Sequence, residues 1–297
     1  MKRDFTTGSE WLYYKIYCGY GTADELLRTV VAPLSIAFKS HEMIDNWFFI
    51  RYTDPNPHLR WRLHFCDLSE LGSVELAIAQ ALQPYLDCKQ VNKVMTDTYK
   101  REIERYGETT MELCEQIFGF DSEMTTKMLA FIDVLPEKET YRWLFSLKAI
   151  DSMLADFGYE TERRHKLSKT IADAFGHEFG INEMTIKQFS DKYRAAKNRI
   201  FKFMRGEDEV ATALYATIEK RSCNMEETVA RFHRTSIGQQ RLDEIMQSLI
   251  HMTMNRIFIA QQRKHEVVLY GFLERYYRSE IAKKKYLEKT DLQNSII

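Results

Sequence analysis

The sequence has few of the residues that interrupt helices, cross-link a chain or cluster around metals. Its five prolines all lie within the first 136 residues, and the longer remainder has none. Because proline breaks helices, this asymmetry predicts a mixed α/β front half and an almost wholly helical back half. The five cysteines are scattered without a C-x-x-C pair. They are therefore expected to be reduced thiols, and neither a zinc site nor a disulfide framework is predicted.

Long apolar runs and an excess of one charge are also missing. No run approaches the roughly 20 apolar residues that a membrane-spanning helix needs, and the N-terminus lacks the apolar stretch of a secretory signal. The chain carries 42 Lys and Arg against 43 Asp and Glu, so its bulk charge does not indicate a polyanionic partner. With 44% hydrophobic and 29% charged residues, the chain is expected to be a globular, cytosolic protein.

The front half contains short segments rich in aromatic and β-branched residues, which are typical of strands. Strands are predicted over residues 11–17, 47–52, 58–65 and 91–99, and helices over residues 23–37 and 69–85. Strands separated by helices indicate a mixed sheet with helices packed on one side. This mixed α/β part is expected to span residues 1–108.

The back half contains a succession of amphipathic patterns at helical spacing. Helices are predicted near residues 109–118, 121–134, 137–157, 160–175, 183–205, 207–221, 224–235, 237–262 and 264–284. No Ser-, Gly- or Pro-rich connector separates the two halves, so residues 109–297 are expected to form the helical part of one continuous domain. The predicted fold class is α+β, with an N-terminal mixed β-sheet and a mainly α-helical C-terminal half.

The third predicted strand alternates strictly between polar and apolar side chains. In a strand, residues two apart share a face, and the polar face here carries His58, Arg60, Arg62 and His64. Two neighbouring arginines repel each other unless solvent or an anion lies between them. The pattern therefore has two interpretations. It is either a solvent-facing strand or a fork that binds a carboxylate through the planar donors of arginine.

A second segment, residues 99–107 (YKREIERYG), is almost entirely charged or phenolic. If it is helical, Glu102 and Arg105 share a face at i,i+3 spacing. Taken alone, this pair fits an ordinary surface ion pair, which contributes under about 1 kcal/mol to stability.

A third segment is the apolar helix predicted near residues 241–262, which contains His251 followed by Asn255 and Arg256. A histidine on an apolar helix is most often a satisfied core residue. Together with Asn255 and Arg256 in a buried setting, His251 is also a candidate for acid/base work near neutral pH.

Taken together, these segments resemble the C-terminal elimination domain of class I lanthipeptide dehydratases, also called the thiopeptide-type bacteriocin biosynthesis domain. The matching segments follow the family's order over nearly the whole chain: residues 11–17 (WLYYKIY), 47–54 (WFFIRYTD), 58–62 (HLRWR), 99–107, 121–122 and 251–256 (HMTMNR). Members of the family usually have a second glycine after Tyr-Gly, where this chain has Glu108.

The resemblance implies a lyase reaction in antibiotic biosynthesis. In the family, a separate domain or protein uses glutamyl-tRNA to esterify Ser or Thr of a ribosomal precursor peptide. The elimination domain then removes glutamate and leaves dehydroalanine or dehydrobutyrine. The sequence is too short to hold a glutamylation domain as well, so it resembles a stand-alone or split unit.

The same resemblance implies which partners the chain has. They are the glutamylated precursor peptide and a separate tRNA-dependent glutamylation protein. No cofactor, no metal, no membrane span and no direct contact with nucleic acid are expected. Both a lanthipeptide and a thiopeptide pathway stay open, as does the oligomeric state, a homodimer included.

By resemblance, the functional positions of the family fall on Arg60, Arg62, Glu102, Arg105 and His251. β-Elimination needs a base for the Cα proton, stabilisation of the developing enolate and help for a leaving carboxylate. We expect the three arginines to hold glutamate and the enolate. Glu102 is expected to orient an arginine, and His251 to act as acid or base. The residue that takes the first proton stays open.

Two other functions stay open at this point. Some relatives in the family form the six-membered nitrogen ring of thiopeptides by a formal 4+2 cycloaddition between two dehydroalanines, and they no longer need a glutamate pocket. Alternatively, a non-catalytic subunit would bind the precursor peptide by strand addition at an exposed sheet edge. Retention of the whole Arg/Glu/Arg/His set favours elimination over both.

Overall fold

The aromatic-rich segments of the front half form strands that pair in an antiparallel manner. The computed structural model describes the backbone of residues 1–294 and the side chains of residues 1–288. Its strands are β1 (Asp4–Phe5), β2 (Trp11–Cys18), β3 (Asn46–Thr53), β4 (Pro57–His64), β5 (Val91–Thr96) and β6 (Tyr99–Lys100). The main sheet has the order β3-β4-β2-β5, and β1 pairs separately with β6.

Helices make up most of the remaining chain, and they follow the predicted pattern closely. They are α1 (Tyr20–Leu26), α2 (Ala32–Ser40), α3 (Leu71–Asp87), α4 (Ile103–Tyr106), α5 (Met111–Ile132), α6 (Lys138–Asp156), α7 (Thr161–Glu178), α8 (Glu183–Met204), α9 (Thr212–Arg234), α10 (Gln239–Ile257) and α11 (Gln262–Asn294). The predicted α+β class, with a front sheet and a mainly helical C-terminal half, is confirmed. In the described part of the chain, no helix is both long and apolar enough to cross a membrane.

The sheet differs from the prediction in one respect. A mixed sheet was predicted because helices separate the strands, but every strand pair in the main sheet is antiparallel. The reason is the tight turn between β3 and β4, which makes these two strands a hairpin. β4 then lies between β3 and β2, so β2 and β3, which α1 and α2 connect, are not neighbours in the sheet. In the same way, β2 separates β4 from β5, which α3 connects.

Two of the predicted helix breaks are wrong, and Gly119 shows why in one case. The predicted helices 109–118 and 121–134 are the single helix α5, and helices 207–221 and 224–235 are the single helix α9. Gly119 lies inside α5, where a Cβ atom would collide with the side chain of Asn46 and come within 3.2 Å of the carbonyl oxygen of Trp47. This glycine therefore permits close helix–strand packing and does not end the helix.

The chain divides into two compact units. The first consists of Met1–Lys138 and Ala216–Ala260, and the second of Glu139–Tyr215 and the segment that begins at Gln261. The first unit thus holds the whole sheet together with α5 and α10. Within the second unit, α7 packs along α11. The proposal that residues 1–108 and 109–297 are parts of one continuous domain stays a prediction.

The outer edge of β3 is closed by side chains from α5 and α10. The Arg51 N–H donates to Asn255 Oδ1, and Asn255 Nδ2 donates to the Arg51 carbonyl, both at 2.9 Å. The Phe49 N–H donates to Ser122 Oγ at 3.2 Å, and Arg256 Nε donates to the Phe49 carbonyl at 3.0 Å. These bonds replace a missing neighbouring strand, and they fix the C-terminal turns of α10 against the sheet.

The two faces of β4 are both largely covered. One face carries Leu59, Trp61 and Leu63, which are completely buried, and Trp61 Nε1 donates to Ser35 Oγ of α2 at 3.0 Å. The predicted alternation is therefore confirmed. The solvent-facing interpretation of the other face is wrong for Arg62, because β4 is a central strand and Arg62 is only 7% exposed.

Candidate functional site

A pocket in the first unit contains side chains from the sheet and from α10. The empty space between its walls measures about 360 Å³, a volume that includes the part open to solvent. Its walls come from β3, β4, the chain around β6 and α4, and the helices α5 and α10. The lining residues are Phe48, Ile50, Arg62, Tyr99, Lys100, Glu102, Tyr106, Met111, Phe118, Met252 and Arg256.

Arg62 is the predicted site residue that lies deepest in this pocket. Strand register places Tyr13 of β2 and Phe48 of β3 on either side of it. The guanidinium carbon lies 4.4 Å from the ring centre of Tyr13, 4.8 Å from that of Tyr99 and 5.2 Å from that of Phe48. Aromatic faces attract a cation, and these three rings hold the Arg62 side chain in the pocket without neutralising its charge.

Burial lowers the pKa of Arg62, because the charged form loses its hydration. The neighbouring charge of Arg60 lowers it further, whereas Glu102 acts in the opposite direction. Arg62 remains a cation at neutral pH, since arginine starts from a very high pKa. The result is a positive charge in a poorly hydrated, aromatic pocket, where a carboxylate ligand would be bound strongly.

Tyr99 presents its ring to Arg62 and uses its hydroxyl elsewhere. The hydroxyl donates to Glu115 Oε1 at 2.7 Å. Arg101 binds the same carboxylate through Nε at 2.8 Å and Nη2 at 2.7 Å. Burial raises the pKa of Tyr99 well above its ordinary value, so the phenol stays a neutral donor. This buried network fixes the ring that packs against Arg62.

Glu102 and Arg105 form an ion pair at the rim of the pocket. Arg105 Nη1 lies 3.0 Å from Glu102 Oε2, and the two side chains are 45% and 63% exposed. Glu102 lines the pocket, whereas Arg105 does not. Arg241, at the start of α10, donates to the carbonyls of Glu104 and Arg105 at 2.9 and 3.0 Å. The segment that carries Glu102 and Arg105 is therefore hydrogen-bonded to α10, the helix that carries His251.

Arg60 lies next to the pocket on the same face of β4. Its guanidinium carbon stacks 3.5 Å from the ring centre of Tyr52. Its Nε donates to His58 Nε2 at 3.2 Å, and His58 Nδ1 contacts the Asn56 carbonyl at 2.9 Å. Because one ring nitrogen accepts and the other donates, His58 is assigned as neutral. Burial lowers the pKa of His58, and Arg60 adds to this effect.

His251 is half-buried on α10, one residue before Met252, which lines the pocket. It also lies one helical turn before Asn255, the residue bound to β3. The structure thus brings Arg62 and Glu102 into one pocket and links Arg105 to Glu102. Arg60 and His251 are not among the residues that line the pocket.

Arg256 is a pocket residue that the predicted site set does not include. It is completely buried, and its Nη1 lies 3.9 Å from Asp121 Oδ2. Burial lowers its pKa to about 10; Asp121 opposes this shift, and Arg62 adds to it. The available sequence signal was an arginine inside an apolar helix, in the same string as His251.

Asp121 is the buried counter-charge behind Arg256. It also lies 3.3 Å from Nη1 of Arg221 and accepts a hydrogen bond from the Thr253 hydroxyl. Its single negative charge is therefore shared between two buried arginines. Like Ser122, which binds β3, it belongs to a matching segment of the sequence for which no role was predicted.

Glu108 stands where members of the family that the sequence resembles usually have a second glycine, and the local turn forms without that glycine. Gly107 ends α4 with a φ of +82°, a conformation that favours glycine. Glu108, in contrast, has no positive φ. The position therefore needs no second glycine.

A larger groove lies within the second unit, but its charges are mostly paired. Lys169 binds Asp173 at 2.6 Å, and Arg278 binds Glu274 at 3.3 Å. None of the predicted site residues lines it. Among the described side chains, no group of His, Cys, Asp and Glu has an arrangement that suits a metal ion. The pocket of Arg62 is therefore the candidate site.

Comparison with known proteins places these features in a family. The family model described as "Lantibiotic biosynthesis dehydratase C-term" matches residues 11–277. The nisin biosynthesis protein NisB of Lactococcus lactis subsp. lactis is 27% identical over 290 residues, which are 94% of this chain and 26% of NisB. The chain thus spans about a quarter of that relative. The subtilin biosynthesis protein SpaB of Bacillus subtilis is 33% identical over 135 residues, 44% of this chain and 13% of SpaB.

Solved structures share the fold. The tRNA-dependent lantibiotic dehydratase MibB from Microbispora sp. 107891 superposes with a TM-score of 0.74 at 19% identity, over 94% of this chain and 29% of MibB. The pyridine synthase TbtD from thiomuracin biosynthesis superposes with a TM-score of 0.63 at 13% identity, over 92% of this chain and 99% of TbtD. With the family model matching most of its length, the chain belongs to the lantibiotic biosynthesis dehydratase C-terminal family.

Proposed function

We propose that this chain is a carbon–oxygen lyase that eliminates glutamate from glutamylated Ser or Thr of a ribosomal precursor peptide. The observation that carries the proposal is the position of Arg62, a buried cation enclosed by aromatic rings in the same pocket as Glu102. Such a site suits an anionic leaving group. A pocket for a neutral peptide side chain would not need the buried charge.

The proposed reaction follows from the bonds that change. A base removes the Cα proton of the glutamylated residue, and the electron pair forms the Cα–Cβ double bond. The bond between Cβ and the ester oxygen breaks, and glutamate leaves as a carboxylate. Negative charge develops first on the peptide carbonyl oxygen and then on the leaving group. Arginine donors fixed in a poorly hydrated pocket stabilise both.

Each predicted residue has a role in this proposal. Arg60, Arg62 and Arg105 hold the glutamyl group and the enolate. Glu102 orients Arg105, a role that their 3.0 Å ion pair supports. His251, on the helix that lines the pocket, acts as acid or base, and no cofactor takes part.

The partners follow from the same proposal. The substrate is a precursor peptide that already carries the glutamyl ester, and a tRNA-dependent glutamylation activity must supply it. This chain then needs to recognise only the ester and the surrounding peptide.

The test is a reconstituted assay with a glutamylated precursor peptide, followed by mass spectrometry. The wild-type protein is expected to release glutamate and leave dehydrated residues. Arg105→Ala and His251→Ala are expected to let the glutamylated peptide accumulate, because a charge-holding group or a proton-transfer group is lost. Removal of one such group commonly lowers the rate by about a hundredfold or more. Normal dehydration by both variants would refute the residue assignment.

A second candidate function is pyridine-ring formation by 4+2 cycloaddition between two dehydroalanines. The observation that favours it is the fold similarity to TbtD, which extends over 99% of that chain. A didehydro peptide supplied beside the glutamylated peptide separates the two activities, since only a cyclase converts it. A protein that binds both peptides and changes the mass of neither would instead be a binding subunit.

A further inference from the structure

Arg256 has hydrogen-bond donors for which the described part of the chain provides no acceptor. Its Nε donates to the Phe49 carbonyl at 3.0 Å. Its Nη1 and Nη2 are buried and have no hydrogen-bond partner among the described residues. Buried donors without acceptors are rare in folded proteins, and on an arginine they lose the favourable hydration of a charge as well. The pocket that Arg256 lines is the open space beside it.

Arg62, which lines the same pocket, also has a buried donor without an acceptor among the described residues. This donor is its Nε, and the surrounding groups are aromatic faces. The positive charges of Arg62 and Arg256, two residues that line the same pocket, repel each other. Asp121 offsets this only in part, because it also binds Arg221.

The remainder of the lining suits a short aliphatic chain. Phe48, Tyr106 and Phe118 form apolar walls near the two guanidinium groups, and Met252 adds a flexible thioether. A ligand with a carboxylate at one end and methylene groups next to it would bind the two guanidinium groups through its carboxylate and contact the apolar walls through its methylene groups. Glutamate and the glutamyl group have this composition.

We infer that Arg62 and Arg256 together form a carboxylate-binding site that holds the free carboxylate of the glutamyl group, with Arg256 as its second guanidinium. This inference rests on the proposed function for the identity of its ligand. Arg256 binds the ligand, and Asp121 positions Arg256. After elimination, the same site holds the released glutamate, so free glutamate is expected to inhibit the enzyme competitively.

The experiment is a calorimetric titration of the intact protein with L-glutamate, with the wild type compared to Arg256→Met and Arg221→Met. Arg221 is the matched control, because it is also a buried partner of Asp121 but does not line the pocket. We expect Arg256→Met to weaken glutamate binding about tenfold or more, the usual loss for a charged hydrogen bond. Arg221→Met is expected to bind glutamate as the wild type does.

A thermal unfolding assay with and without L-glutamate accompanies the titration and shows whether each variant is folded. If Arg256→Met does not fold, Arg256→Lys serves instead. It keeps the charge without the planar fork, and we expect it to bind glutamate more weakly than the wild type. Unchanged binding in the folded Arg256 variant, or equal losses in both variants, would overturn the inference.

The activity assay separates this inference from the proposed function. If the wild type dehydrates the peptide and the Arg256 variant binds glutamate normally, only the role of Arg256 in binding the carboxylate is refuted. If glutamate binds in an Arg256-dependent manner while the glutamylated peptide stays intact, the carboxylate site stands and the lyase proposal fails.

Discussion

At the scale of single residues, neighbouring side chains set the charge and the direction of each group in the site. Arg62 faces Tyr13 and Phe48 because the register of three strands places them in one row. Tyr99 turns its ring to Arg62 because Glu115 and Arg101 hold its hydroxyl. Each group is therefore fixed before a ligand arrives, and such preorganisation is what electrostatic catalysis requires.

His58 is the residue at which this arrangement is expected to depend on pH. Its pKa lies below the ordinary value of 6.5 because of burial and the neighbouring Arg60. At pH values between the lowered pKa of the folded chain and the ordinary pKa of the unfolded chain, the unfolded chain binds more protons than the folded chain. The free energy of unfolding therefore decreases as the pH falls below about 6.5. Because one proton is involved, the free energy of unfolding can fall by at most about 1.4 kcal/mol per pH unit.

Urea unfolding at about pH 7.5 and pH 5.5 measures this effect. The wild type is expected to lose more stability over this interval than His58→Asn, which retains a donor for the Asn56 carbonyl and cannot become charged. Parallel pH dependence of the two proteins would show that His58 does not titrate in this way.

At the scale of secondary structure elements, the packing of α5 and α10 against β3 brings the site together. α5 approaches β3 at Gly119, and α10 is bound to the β3 edge through Asn255 and Arg256. These contacts bring Arg256 into the pocket that Arg62 and Glu102 also line. The site therefore depends on how closely these elements approach each other.

The close approach at Gly119 gives a prediction about stability. In an open helix position, Gly→Ala stabilises by up to about 1 kcal/mol. At Gly119 the added methyl group meets Asn46, which is itself bound to the Glu115 carbonyl at 2.9 Å. Gly119→Ala is therefore expected to destabilise the protein by about 1–3 kcal/mol, as overpacking does.

Gly72 is the control for this change, since it lies in α3 of the same unit and a Cβ atom there meets nothing within 4 Å. Chemical denaturation of both variants measures the difference. Gly72→Ala should be neutral or stabilising. An equally neutral Gly119→Ala would mean that α5 does not pack tightly on β3.

At the scale of the whole molecule, local sequence patterns predicted the secondary structure elements. The burial of side chains and the packing between elements depend on long-range contacts, which local patterns do not contain. Strand β4 was predictable because the alternation around Arg60 and Arg62 is local. The burial of Arg62 was not, since it requires knowing that β4 lies between β2 and β3. The continuity of α5 through Gly119, where two separate helices were predicted, was not predictable either, because its partner Asn46 is distant in sequence.

The candidate site shows the same division. Residues Arg62 and Glu102 were predicted from the family resemblance and lie in one pocket. Arg256 was not predicted, although the string that contains it was recognised. Its buried donors, which lack an acceptor among the described residues, become apparent only when β3 and Asp121 are placed around it. The segment Ala216–Ala260 returns to the sheet-containing unit, a pairing that no local pattern contains.

A crystal structure with a glutamylated peptide, in which an amide replaces the ester so that elimination is blocked, shows directly whether the pocket of Arg62 binds the glutamyl group. We expect the glutamyl group to occupy the pocket, with its free carboxylate within hydrogen-bonding distance of Arg62 and its linkage facing the side of α10 that carries His251. A glutamyl group bound elsewhere, with the pocket of Arg62 and Glu102 empty, would contradict this expectation.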